Sequence, residues 1–208
     1  GTLGELKSFP WPNTRNPQPF KNLRQKAKKL KSETDYILVG HAGDTSLFEN
    51  ARDLRGMANW LMDLVKNKHF AHALMEKVCE LQCARVETYL SAVGDYLDVL
   101  CVADDLSGQD RPLISLPMYQ EMVKPYHEKY FRTIRDNTRA KLHFHSCGAM
   151  SPFLEDFLEL GIDAINPVQV TAKGMDPSLL KQRYGDRVVF WGGLDTQPVL
   201  PYRTEDEV

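Results

Sequence analysis

Five short apolar runs, separated by longer segments whose apolar residues recur every three or four positions, set the rhythm of this chain. The runs are Tyr36–His41, Leu97–Ala103, Ala140–His145, Asp163–Val168 and Val188–Leu194. They are short and almost continuously apolar, which predicts strands buried on both faces. Between them, helical spacing predicts helices over 20–33, part of 45–64, 70–93, 117–137, 151–160 and 177–184. Pro117, set just after Ser115, and Asp176-Pro177 are starting signals, and Gly161 is a stop. Residues 1–20, with Pro10, Pro12, Pro17 and Pro19 around Trp11, read as an irregular lead-in, and 21–208 as one domain.

Strands buried on both faces and separated by helices imply a parallel sheet covered by helices. Two architectures satisfy this, the open doubly wound sheet and the (β/α)8 barrel. The open sheet carries a glycine-rich phosphate loop after its first strand, and Gly40-His-Ala-Gly43-Asp does not match one. Polar residues instead follow nearly every strand: His41, Asp104-Asp105, His145 and Cys147, Asn166 and Gln169, and Asp195. Functional groups spread over many strand ends are the habit of a barrel. A barrel needs eight strands and about 250 residues. The pattern therefore predicts a partial α/β TIM barrel of about five β/α units.

The densest chemistry lies in Lys141-Leu142-His143-Phe144-His145-Ser146-Cys147-Gly148. Side chains alternate along a strand, so His143, His145 and Cys147 point one way while Leu142 and Phe144 point the other. An imidazole and a thiol two residues apart at a strand end suit one soft or borderline metal ion, or else simply pack inside the barrel. His143, one pleat deeper, is either a partner of a ligand or a core histidine. Asp104 and Asp105 are candidate catalytic residues, as metal ligand, orienter of a histidine or proton carrier, with capping of the next turn as the alternative. Neighbours on a strand face opposite ways, so one of the pair is expected in the cavity. His41, Asn166, Gln169 and Asp195 are candidate substrate-binding residues. Cys79 and Cys83, four apart on a helix, read as core.

Composition narrows the partners. With 26 basic and 28 acidic residues the net charge is −2, and no basic run is interleaved with aromatics, which argues against nucleic acid. The basic stretch Lys21 to Lys31 reads as a solvated helix face. No apolar stretch approaches the roughly 18 residues of a membrane span, and no signal peptide is recognised, so no membrane partner is expected. Four cysteines without a disulfide spacing predict a reducing, cytoplasmic setting.

From His143 onward the chain resembles the uroporphyrinogen decarboxylase superfamily. The matching residues are His145-Ser-Cys147-Gly148, Leu158-Glu-Leu-Gly161-Ile-Asp163, Asn166-Pro-Val-Gln169, Trp191-Gly192-Gly193-Leu194-Asp195 and the closing Arg203 to Val208. Leu54-Arg-Gly56 with Leu61-Met-Asp63, and Asp104-Asp105 with Pro112 to Ser115, are similar to the same superfamily. The His-x-Cys after this strand is a mark of its zinc-dependent methyltransferases and is lacking in the decarboxylases proper. The resemblance implies zinc at His145 and Cys147, with a further cysteine from a later unit beyond Val208. It also implies methyl transfer between a small methylated substrate or a corrinoid protein and an acceptor. Uroporphyrinogen decarboxylation in porphyrin biosynthesis is the alternative activity, and a small-molecule or corrinoid binding module the third. Expected partners are a small-molecule substrate and a corrinoid protein, and self-association as a homo-oligomer stays open.

Overall fold

The computed structural model describes residues 1–207, which leaves Val208, the last residue of the closing motif, outside the described part. Five strands form: β1 Val39–His41, β2 Val99–Ala103, β3 Lys141–His145, β4 Ala164–Asn166 and β5 Val189–Phe190. All pair in parallel in the order β1-β2-β3-β4-β5. The order follows the chain without a reversal, whereas a doubly wound sheet reverses at a switch point. This is the sheet of a partial (β/α) barrel, as the strand-end chemistry implied.

Nine α-helices form among the described residues, two before β1 and seven in the connections: α1 Leu3–Ser8, α2 Leu23–Glu33, α3 Phe48–Arg55, α4 Met57–Lys66, α5 Lys68–Val93, α6 Leu116–Met122, α7 Lys124–Asn137, α8 Leu154–Glu159 and α9 Pro177–Tyr184. Single turns of 3-10 helix lie at Gln18–Phe20, Ser151–Phe153 and Glu205–Glu207. Three differences from the sequence expectation have local causes. The lead-in is not wholly irregular, because Thr2 and Glu5 form a reciprocal capping box that starts α1. The helical stretch of 45–64 is two helices, broken at Gly56 with φ of 80°. That over 117–137 is broken at Val123, where Pro125 can neither donate to the preceding turn nor fit against its carbonyl.

Leu100, Val102, Leu142 and Phe144 point outward from β2 and β3 into the core under the helices. Phe144 stands among aromatic rings, its own 4.8 Å from that of Phe157 and 5.7 Å from that of Phe131. Cys79 and Cys83 on α5 are buried in the same core, and the basic residues of α2 are mostly solvent-facing, both as read from sequence.

The sheet's N-terminal edge is clamped by two aspartates. Asp98, just before β2, accepts from the Leu38 N–H at 2.8 Å. Asp163, just before β4, accepts from the Leu142 N–H at 2.8 Å and is ion-paired with Arg135 and Lys141. Burial raises the Asp163 carboxyl, but these donors outweigh it and hold the group below the usual carboxylate range. Register is thus fixed at one end of the sheet, and the chemistry lies at the other.

Candidate metal centre

On the inner face the ladder sets Ala103 beside His145 and His145 beside Asn166, so the C-terminal ends of β2, β3 and β4 meet. Pairing continues past β3, because the Asp104 N–H donates to the His145 carbonyl and the Ser146 N–H to the Asn166 carbonyl. Cys147 therefore arrives two residues beyond His145 on the same side. Its own N–H donates to Oδ1 of Asp105 at 2.7 Å. The turn that follows needs glycine: Gly148 has φ of 82°, and a Cβ there would lie 2.5 Å from the Gly108 carbonyl oxygen.

Three donors of different kinds converge here. A carboxylate oxygen of Asp105, a ring nitrogen of His145 and the sulfur of Cys147 all lie within 4.8 Å of one another. The Cys147 sulfur is 3.4 Å from Nε2 of His145. A tetrahedral zinc with bonds of about 2.3 Å to sulfur and 2.0–2.1 Å to nitrogen sets those two atoms about 3.6 Å apart. The donor set is mixed sulfur, nitrogen and oxygen, of the kind a borderline ion takes. Burial, then the adjacent Asp105 carboxylate, pushes the Cys147 thiol up to about 11, so at neutral pH the thiol stays protonated without a cation. A divalent ion reverses that preference by its own charge. The residues fit such an ion.

The two adjacent acids part company. Asp105 joins the cluster, whereas Asp104 turns into the helix layer. There the Asp104 carboxylate accepts from the backbone N–H groups of Leu47, Phe48 and Glu49 at 3.1, 2.8 and 3.0 Å, at the start of α3. Nε2 of His127 completes the set at 2.9 Å, and both side chains are 1% exposed. Asp104 thus fixes α3 on β2 and touches none of the three donors.

The other candidates are dispersed. His41 is exposed, and its Nδ1 accepts from the Gly43 N–H. The Gln169 carbonyl accepts from the Gly148 N–H at 2.9 Å and from the Gln109 amide, which pins the turn after Cys147. Asp195 accepts from the Gln197 N–H in its own turn. His143 lies edge-on to Trp191, with ring centres 5.0 Å apart. Burial lowers its pKa, and no partner lies on its Nδ1 among the described residues. Asn166, by contrast, touches the cluster directly, its Oδ1 lying 2.6 Å from Nδ1 of His145.

Sequence reasoning did not single out Glu49. Its Oε2 accepts from the Asp105 N–H at 3.1 Å, and its Oε1 pairs with Arg52 at 3.0 Å. Burial, followed by the neighbouring carboxylates of Asp104 and Asp105, holds Glu49 above the usual range. The only local signal was an acidic residue in the first turn of a helix.

A parallel sheet wound in chain order, with its polar groups gathered at the C-terminal strand ends, defines a barrel-type α/β protein with a candidate metal centre. The uroporphyrinogen decarboxylase (URO-D) family matches residues 15–208, and the chain belongs to that family. No curated protein matches the sequence. Among solved structures, a methyltransferase from Methanosarcina mazei is similar with a TM-score of 0.57 at 16% identity. The similarity covers 81% of this chain and 46% of that protein, so the chain spans under half of that protein's length. No helix among the described residues is long and apolar enough to cross a membrane.

Proposed function

We propose that this chain carries the metal-holding part of a zinc-dependent methyltransferase of the uroporphyrinogen decarboxylase superfamily. The observation behind this reading is the convergence of Asp105, His145 and Cys147 at adjoining strand ends. Nε2 of His145, Sγ of Cys147 and a carboxylate oxygen of Asp105 would hold the ion. Bound zinc supplies Lewis acidity, which keeps a thiol deprotonated near neutral pH and so nucleophilic toward a methyl carbon. The transferred group would pass between a small methylated compound, or a methylated corrinoid on a partner protein, and an acceptor.

The chain's own residues account for the rest. Asp105 brings negative charge beside the ion and, through the Cys147 N–H, sets where the sulfur stands. Gln169 and Gly148 fix the turn that carries Cys147. The similar methyltransferase structure and the family membership are consistent with this reading. Decarboxylation of a polycarboxylate has less support, since Arg52 pairs with Glu49 and Asp53, and Arg55 with Asp63.

The test uses the whole chain loaded with zinc, free methylcobalamin as donor and a small thiol as acceptor, followed by cobalamin absorbance. Zinc-dependent demethylation that falls at least 100-fold in Cys147→Ser supports the proposal. Activity retained after zinc removal defeats it, and uroporphyrinogen turnover that survives Cys147→Ser favours decarboxylation. A closed four-ligand zinc site without either activity points to a binding module.

A further inference from the structure

The side-chain amide of Asn166 can be oriented in only one way. Its Nδ2 lies 2.8 Å from the Trp191 carbonyl oxygen, which accepts and cannot donate. The NH2 group must therefore face Trp191, and Oδ1 must face His145. Oδ1 also only accepts, and it lies 2.6 Å from Nδ1 of His145. That ring nitrogen must then carry a hydrogen. A neutral imidazole protonated at Nδ1 has its lone pair at Nε2, and Nε2 is the nitrogen 3.4 Å from the Cys147 sulfur.

We infer that Asn166 is a positioning residue that holds His145 in the Nδ1–H tautomer, so that Nε2 is the nitrogen presented to a metal ion. The tautomer follows from the hydrogen bonds alone. Its consequence for metal binding rests on the zinc reading above. The assignment replaces the expectation that Asn166 contacts substrate, because its carbonyl and one amide hydrogen are committed to protein partners.

The fold supports the arrangement from three sides. The β3–β4 register sets His145 directly beside Asn166. Backbone bonds from Trp191 N–H to the Ile165 carbonyl and from Gly193 N–H to the Pro167 carbonyl hold the end of β5 against Asn166. Gly192 makes that approach feasible, since a Cβ there would lie 1.7 Å from the Pro167 carbonyl oxygen. Val168 has φ of 57°, a left-handed conformation that a β-branched residue resists, and its side chain is buried. The strand-end loop that carries Asn166 is thus over-determined, as an orienting group requires.

Aspartate could not do the same work. It would accept from His145 but could not donate to the Trp191 carbonyl, so the link to β5 would be lost. Leucine would leave Nδ1 with no acceptor from the protein. The two variants therefore separate the two hydrogen bonds.

The experiment is a long-range 1H–15N correlation spectrum of the metal-free full chain, taken at a pH where His145 is neutral. The expected result is a hydrogen on Nδ1 and none on Nε2. In Asn166→Leu the tautomer should shift toward Nε2–H, and zinc affinity, measured by competition with a chromophoric chelator, should fall about 10–100-fold. Asn166→Asp should keep the Nδ1–H tautomer. A wild-type spectrum with the hydrogen on Nε2 overturns the inference, even if Asn166→Leu fails to fold. So does Asn166→Leu with unchanged tautomer and unchanged zinc affinity. Failure of the wild-type chain to bind zinc, alongside an Nδ1–H signal that Asn166→Leu abolishes, would sink the metal reading and uphold the positioning role.

Discussion

Asp104 and Asp105 are adjacent in sequence and opposite in task, and a matched pair of asparagine substitutions separates them. In Asp104, Oδ2 accepts from Leu47 N–H, Phe48 N–H and His127, while Oδ1 accepts from Glu49 N–H. Asparagine must replace one oxygen by an NH2 group. Placed at Oδ1 it confronts a single N–H, the least damaging choice, and leaves that half-buried donor unpaired. An unpaired buried donor costs about 1–3 kcal/mol. Loss of a carboxylate from the N-terminus of α3 adds roughly 0.3–1 kcal/mol. Asp104→Asn should therefore lose about 1–4 kcal/mol in urea unfolding and keep zinc affinity within about threefold. Asp105→Asn should behave in the opposite way. Its carbonyl still accepts from Cys147 N–H, so stability should change by less than about 1 kcal/mol, while zinc affinity falls at least tenfold. Asp104→Asn with intact stability, or Asp105→Asn binding zinc as well as the wild type, would refute this division of tasks.

Further predictions follow from other residues. Gly148→Ala would press a Cβ into the carbonyls of Ser107 and Gly108 at a left-handed φ. It should lose about 2–4 kcal/mol in urea unfolding and weaken zinc binding by displacing Cys147. Phe144→Ala should lose about 3–5 kcal/mol, because the ring stands among Phe131, Phe157 and His127. Asp163→Asn should cost about 1–2 kcal/mol at neutral pH after allowance for partial exposure. The Asp163 carboxyl is depressed in the folded state, so its contribution is fully present above the unfolded carboxylate pKa and is lost as pH falls through the folded value. The difference between wild type and Asp163→Asn should therefore shrink on acidification, and a difference that grows instead would contradict the clamp.

The fold was legible because two-sided burial writes itself as continuous apolar runs. All five strands formed inside those runs, each shorter than its run, since pairing needs a neighbour on the next strand. The helices were legible except for α1, which its capping box starts inside a proline-rich lead-in, and where one glycine or one proline interrupted a longer run. For the site, alternation alone set His145 and Cys147 on one side of β3. It did not decide between Asp104 and Asp105, because that depends on where α3 lies, which is tertiary information. The contact of Asn166 with His145 was not legible, since a single sequence does not reveal the register in which β4 pairs with β3. Glu49 comes from the start of α3, where its N–H on Asp104 anchors it and its side chain meets the Asp105 N–H, a meeting that only the placement of α3 creates.

If one sulfur, one imidazole nitrogen and one carboxylate oxygen share a divalent ion at the strand ends, X-ray absorption at the zinc edge of the loaded chain will see all three. One sulfur is expected at about 2.3 Å with nitrogen and oxygen at about 2.0–2.2 Å, the sulfur vanishing in Cys147→Ser. A zinc shell without sulfur, or one that Cys147→Ser leaves unchanged, would rule out the shared ion.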